Sequence, residues 1–198
     1  MDDNYQKIWE SFLKGDDAAL STIYFDFFDL LLNFGMKYAT DRYLVEDCIQ
    51  NLFIDLLKNR GKQRSVENIK FYLMKALRNQ ISNEQRKAKR MFSTDNLGET
   101  EFRINYSIEN RLIADETEKI KSKFLTMVKQ SLTSRQQEVL YLKFTCGFDY
   151  PQISDLMQIS VESVRTIVYR TLKTIKDTFG TENYSSLIFA TIFRSFFA

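Results

Sequence analysis

Histidine is absent from the 198-residue chain. That one absence removes the usual general base near neutral pH, the commonest metal ligand and every triad built on an imidazole. One Pro and six Gly are too few for the many tight turns of an all-β protein, so helices are expected throughout. The two cysteines, Cys48 and Cys146, lie far apart with neither metal-ligand nor disulfide spacing. Each reads as a small buried hydrophobe, as in a reducing compartment. No apolar run reaches the roughly 20 residues of a membrane span. Residues 1–10 also lack the basic cluster and apolar core of an export signal. The carboxylate pairs Asp2-Asp3, Asp16-Asp17 and Glu46-Asp47 are adjacent in sequence, so on helices their side chains diverge and cannot share a reacting atom. The expectation is a cytoplasmic protein without membrane insertion, metal, cofactor or catalytic centre.

Hydrophobic residues at 44% and charged residues at 27% are enough to bury a core, and the length admits two small helical domains. The net charge of +2 hides an uneven distribution. Residues 64–90 carry eight Lys or Arg against Glu67 and Glu84, a local +6, whereas residues 1–63 carry seven basic against eleven acidic, a local −4. The cations are concentrated on one segment.

Apolar spacing of three and four residues marks the helices. Leu20, Ile23, Tyr24, Phe27, Phe28, Leu31 and Leu32 form one stripe, with Asp16 or Asp17 placed to cap it. Val45, Cys48, Ile49, Leu52, Phe53 and Leu56 form a second, ending near Lys58 to Gly61. A third helix from about Val66 to Arg90 uses Ile69, Tyr72, Leu73, Ala76, Leu77 and Ile81, then turns polar. An acidic, weakly periodic stretch follows and reads as a linker. Beyond it, Ile120, Phe124, Met127, Val128 and Leu132 start another stripe, and Thr133-Ser134 opens a helix through Val139, Leu140 and Phe144. Asp149 and Gln152 around Pro151 form a capping-box start for a short helix, and Ser160 caps a longer one. That last helix turns Val161, Val164, Val168, Leu172, Ile175 and Phe179 inward. A short helix, a tight turn and a longer helix with a polar outer face have the spacing of a helix-turn-helix.

Three ordered segments carry a resemblance to a known family. Thr133 to Leu142, Gly147 to Ile153 and Ile159 to Arg165 resemble region 4 of sigma-70-family transcription initiation factors. Val45 to Phe53 is similar to the family's region 2 helix, and Asn68 to Arg90 to the adjoining part that melts DNA. With only these two regions, the chain resembles the extracytoplasmic-function subgroup. The resemblance implies an all-α protein of two small helical domains. Residues 1–92 would be the region 2 domain, 93–118 an acidic linker, 119–180 the region 4 helix-turn-helix domain and 181–198 a hydrophobic tail. It further implies a non-enzymatic factor that binds core RNA polymerase and promoter DNA, double-stranded at the upstream (minus 35) element and single-stranded at the downstream (minus 10) element. Its regulation would come from an anti-sigma factor or from its own tail. The chain departs from the family pattern at Asn51, Leu57, Asn83 and Gln158.

Site residues follow from chemistry and resemblance together. Glu46, Asp47, Gln50, Asn51 and Ile54 face away from the second helix's apolar stripe; an apolar side chain ringed by polar ones suits a protein contact, which the resemblance assigns to polymerase. Lys70, Phe71, Tyr72, Lys75, Arg78, Asn79, Arg86, Lys87, Lys89 and Arg90 combine rings, an amide and cations, the mixture that stacks bases and neutralises phosphates of an unpaired strand. Ser160, Glu162, Ser163, Arg165, Thr166, Arg170 and Lys173 occupy the start and outer face of the last helix, where Arg can reach a guanine edge and a helix N-terminus favours phosphate. The tail, with Leu187, Ile188, Phe189, Ile192, Phe193, Phe196, Phe197 and the single charge Arg194, reads as an amphipathic helix for a groove. Two other protein types share part of the pattern: a response-regulator-type activator, which lacks the Val45 to Phe53 segment, and a helical adaptor that uses its charged faces for proteins alone.

Overall fold

Asp16 and Asp41 start the two helices at the middle of the first half of the chain. Each has an extended backbone, and each carboxylate accepts the N–H groups two and three residues on, Ala18 and Ala19 for Asp16, Tyr43 and Leu44 for Asp41. The computed structural model describes residues 2–92, 102–103, 126 and 130–179, and divides the chain into units 1–100 and 101–198. Helices account for nearly all regular structure, and no strand occurs among the described residues.

The first unit contains α1 (Asp2–Leu13), α2 (Asp17–Gly35), α3 (Arg42–Lys58) and α4 (Ile69–Phe92). The apolar stripes meet as their spacing demands: Ile23, Leu31, Val45, Ile49, Leu73, Leu77 and Ile81 are sealed from solvent. Gly35 is where α2 comes closest to its neighbours. A Cβ there would collide with Val45 Cγ1 and lie 3.2 Å from Ile81 Cδ1. Helix α4 starts at Ile69, later than expected, because Asn68 caps it by accepting the Phe71 N–H at 2.8 Å.

Residues 1–10, which lack the pattern of an export signal, supply most of α1, an element the apolar stripes above do not include. Trp9 and Phe12 of α1 are fully buried, and with Tyr5 they have the helical spacing that identifies a core-facing stripe. This helix fastens the loop before α4. Trp9 Nε1 donates to the Arg64 carbonyl at 3.0 Å and Gln6 Nε2 to that of Glu67 at 3.0 Å. Tyr72 packs edge-on against Trp9, and its hydroxyl donates to Gln63 Oε1 at 2.9 Å.

Within the second unit lie α5 (Ser134–Leu140), a π-helical turn (Tyr141–Thr145), α6 (Tyr150–Met157) and α7 (Val161–Phe179). Thr133 with Gln136, and Asp149 with Gln152, make complete capping boxes. Val139, Leu140, Leu142, Ile153, Leu156, Val164 and Ile175 build the core. Thr171, inside the apolar face of α7, is buried by returning its hydroxyl to the Ile167 carbonyl at 2.7 Å. Between α6 and α7 the chain reverses at Gln158, which has the left-handed φ of 54°. A side chain there carries a strain of about 1 kcal/mol that glycine lacks. Gln158→Gly is therefore expected to raise the stability of this unit by about 0.5 kcal/mol after the added freedom of the unfolded chain is subtracted; urea unfolding followed by circular dichroism measures it.

Both cysteines are buried and free, as expected. Burial, with Glu84 and Asp47 nearby, pushes the Cys48 thiol up to about 11. The protonated thiol persists well above neutral pH, so a disulfide reagent at pH 8 is expected to leave Cys48 unmodified until the protein is unfolded. Rapid labelling of native Cys48 at that pH would contradict its burial.

Candidate functional site

Two surfaces of the first unit flank α3. On one side, between α2 and α3, lies a groove of about 390 Å³ lined by Leu20, Tyr24, Phe25, Phe53, Ile54 and Leu57 with Asp17, Ser21 and Gln50. Three of its apolar side chains are uncovered while Leu20 and Phe53 form its buried floor: Phe25 is 76% exposed, and Ile54 and Leu57 are each 45% exposed. Such a cluster of large apolar side chains on a water-facing surface is the signature of a protein contact. On the other side, between α3 and α4, a polar cleft of about 520 Å³ is lined by Cys48, Asn51, Asp55, Gln80, Asn83, Glu84, Arg86, Lys87 and Arg90.

The five residues grouped in the sequence reading as polymerase contacts thus fall into three places. Gln50 and Ile54 line the apolar groove. Asn51 lines the polar cleft beside the α4 cations. Glu46 is ion-paired to Arg42 at 2.7 Å, and Asp47 is exposed. Phe25 and Leu57 were missed, although Phe25 is the most exposed apolar side chain of the groove and Leu57 is as exposed as Ile54. Neither fits its own helix's buried stripe, and that misfit was the available signal.

Along α4, Lys75, Asn79, Arg86 and Arg90 fall on one face by the 3.6-residue period, opposite the buried Leu73, Leu77 and Ile81. Asn79, Arg86, Lys87 and Arg90 are exposed, while Lys70, Phe71, Lys75 and Arg78 are half-buried. Lys87 pairs with Glu84 at 2.6 Å. The Arg78 guanidinium lies 5.3 Å over the Tyr38 ring. Tyr72 is held by Trp9 and Gln63, and burial pushes its phenol up from the usual tyrosine range. Its ring is a structural contact in this arrangement. The side chain of Lys89 lies outside the described residues.

In the second unit, Ser160 Oγ accepts the Ser163 N–H at 3.1 Å and meets Ser163 Oγ at 2.8 Å, fixing the start of α7. Glu162, Arg165, Thr166, Tyr169, Arg170 and Lys173 are exposed on its outer face. Arg165 contacts Glu162 at 3.2 Å and lies 5.8 Å from the ring of Tyr150, at the first position of α6. Lys143 approaches that ring to 4.7 Å while donating to the Phe148 carbonyl at 3.3 Å. Tyr169, 69% exposed, stands one turn beyond Arg165. Lys143 and Tyr150 extend the outer face beyond what the last helix alone supplies. The sequence reading missed both because they precede the turn.

Two family models match these two units in order. Sigma-70 region 2 matches residues 24–91 and Sigma-70, region 4 matches residues 125–175, together more than half of the chain. The chain belongs to the sigma-70 family. A sigma factor directs RNA polymerase to promoters, and that is the function of this protein. The fold is similar to that of the sigma factor RpoE from Bartonella quintana, solved in complex with the anti-sigma factor NepR, with 18% identity, a TM-score of 0.54 and coverage of 82% of this chain and 97% of that one. It is similar also to CnrH, solved in complex with the cytosolic domain of CnrY, with 13% identity, a TM-score of 0.54 and coverage of 88% and 96%. No curated protein sequence matches the chain significantly. The two matched regions agree with the extracytoplasmic-function subgroup that the sequence resembles. In this sigma factor the apolar groove and the polar cleft belong to region 2, and the helix-turn-helix belongs to region 4. No cluster of potential metal ligands and no membrane-length apolar helix occurs among the described residues.

Proposed function

We propose that this sigma factor is held by core RNA polymerase through the α2/α3 groove and reads promoters with α4 and α7. The observation that carries the reading is the exposed apolar patch of Phe25, Ile54 and Leu57, which a solvated DNA-binding domain alone has no reason to keep. A response-regulator-type activator or a plain adaptor does not account for this patch together with a helix-turn-helix in one chain. Gln50 gives the groove a polar rim, Glu46 and Asp47 lie toward the start of the same helix as further polymerase contacts, and Asn51 is proposed to contact polymerase from the polar cleft. On α4, Lys75, Asn79, Arg86, Lys87 and Arg90, with Lys70, Phe71, Arg78 and Lys89, serve the unpaired strand of the minus 10 element. On α7, Ser160 and Ser163 at the helix start contact phosphate. Arg165, Thr166, Arg170 and Lys173 face the groove of the minus 35 element, and Glu162 orients Arg165. Two-part recognition gains specificity because, once polymerase holds both regions, the second contact is effectively intramolecular.

The protein is proposed to act in the cytoplasm as a non-enzymatic factor, with residues 93–118 as linker. An anti-sigma factor would restrain it, as the anti-sigma factor NepR bound to the RpoE relative suggests for this fold. The Phe-rich tail at 181–198 lies outside the described residues and is proposed as a second means of restraint. In vitro transcription with core polymerase and a library of promoter fragments tests the whole reading: specific initiation that depends on this protein is expected, and none at all would overturn it.

Four cations of α4 neutralising single-strand phosphates correspond to a log-log salt slope of about 3. The double variant Arg86→Ala with Arg90→Ala is expected to reduce that slope by about 1.4. Fluorescence anisotropy of holoenzyme on a forked minus 10 fragment, across a salt series, reads it directly.

A further inference from the structure

Of the cations on the outer face of α7, Arg165 is anchored outside its own helix. Its guanidinium lies 5.8 Å from the centre of the Tyr150 ring, at the start of α6, and its Nη1 donates to Glu162 Oε1 at 3.2 Å. Arg170 and Lys173, further along the same face, make no such contact among the described residues. The ring that meets Arg165 is itself held. Tyr150 follows Asp149, whose carboxylate accepts the Gln152 N–H at 2.7 Å and whose own N–H donates to Gln152 Oε1 at 3.0 Å, so the first turn of α6 is fixed. From the π-helical turn, the Lys143 ammonium sits 4.7 Å from the ring centre while donating to the Phe148 carbonyl at 3.3 Å. Two cations share one half-buried ring, whose π electrons attract both.

The direction of Arg165 follows from these contacts. It is the fifth residue of α7, and Glu162 and Tyr150 draw its guanidinium back toward the helix N-terminus. That end meets base edges when a recognition helix enters the major groove. Glu162, Ser163, Arg165 and Thr166 are the exposed residues there, and Arg165 alone carries the planar donor fork that matches O6 and N7 of guanine. Glu162 engages only Nη1, which leaves the Nε and Nη2 edge open to a base. An arginine on an exposed helix otherwise samples many rotamers, and fixing one of them at the moment of binding costs affinity. A ring against the guanidinium meets part of that cost before DNA arrives.

We propose that Tyr150 is a positioning residue for Arg165, and that the pair sets a preference for guanine at one base pair of the minus 35 element. Lys143 holds the ring from the side of the π-helical turn. The assignment rests on the minus 35 reading of α7 and gives that reading a specificity-determining pair.

The test uses holoenzyme and a promoter recovered by the in vitro transcription selection, its upstream element randomised, with bound and unbound duplexes sequenced. Arg165→Ala is expected to flatten a guanine preference of about tenfold or more at a single position. Tyr150→Leu should lower the preference at that position, and at no other, by about threefold. Tyr150→Gln, a second way of removing the ring, should do the same, whereas Tyr150→Phe should stay near wild type. In an Arg165→Ala background, Tyr150→Leu should alter no preference further. Ring-removing variants that weaken all sequences alike, with wild-type preferences intact, would make Tyr150 a packing residue or a phosphate contact and overturn the proposal. Equal losses in Tyr150→Phe and Tyr150→Leu would overturn it too, because the effect would then belong to the hydroxyl. So would Arg165→Ala with every preference retained. A wild-type holoenzyme that prefers no base at any upstream position would instead sink the minus 35 reading on which the pair depends.

Discussion

Ile54→Glu is expected to weaken the association of this sigma factor with core RNA polymerase by about 100-fold. Ile54 stands at 45% exposure in the α2/α3 groove, between Leu57 and Gln50 on the same helix and across from Phe25. Polymerase docked there would bury it, and an apolar anchor at the centre of a contact commonly contributes 2 kcal/mol or more. The substitution removes that anchor and places a carboxylate where water is excluded, which adds the cost of an unpaired buried charge. The fold of region 2 should hold, because Ile54 points away from the core formed by Ile49, Leu52 and Leu56. Titration of labelled factor with core enzyme measures the effect. Gln50→Ala, at the rim, should cost less than about threefold. A loss below threefold for Ile54→Glu as well would move the polymerase contact off this groove.

The second large effect concerns stability. Gly35→Ala is expected to destabilise the first unit by about 2 kcal/mol, although alanine is the better helix former by about 1 kcal/mol. The reason is local: the new methyl would drive into Val45 Cγ1, and Ile81 Cδ1 at 3.2 Å offers little space. Val45 is β-branched and restricted at χ1, so it cannot swing aside cheaply. Overpacking of this kind commonly costs about 1–3 kcal/mol. Urea unfolding of wild type and variant compares the two. Equal or higher stability in the variant would mean that α2 and α3 separate at no cost, contrary to the sealed core around them.

Helices α2, α3 and α7 were legible because each advertises itself twice, through an apolar stripe and through a capping Asp or Ser. Helix α1 has the same spacing in only three residues, Tyr5, Trp9 and Phe12, a stripe too short to stand out in the sequence. The π-helical turn after Leu140 has no compositional mark; it is a property of how the backbone closes over Phe148 and Cys146. Phe102 was invisible for a different reason. It lies in a stretch that reads as acidic linker, and only the fold shows that its ring, 2% exposed, packs at 5.5 Å on Tyr141.

The outer face of α7 could be listed from sequence because amphipathicity divides a helix into two halves. The surface around α3 could not, because α3 is contacted on one face only and its remaining positions belong to two different environments. Gln50 and Asn51 are consecutive, yet one borders an apolar groove and the other a cationic cleft. Sequence spacing separates inside from outside. It does not separate one outside from another until the positions of α2 and α4 are known.

Trp9 is the only tryptophan in the chain, and its indole sits fully buried against Phe12 and Tyr72 with its N–H on the Arg64 carbonyl. The protein therefore carries its own optical label on one half. Selective excitation of indole reports loss of region 2 packing and is blind to region 4, whereas far-ultraviolet ellipticity sums both. Divergence between the two signals along one denaturation curve would give the separate stabilities of the regions without cutting the chain.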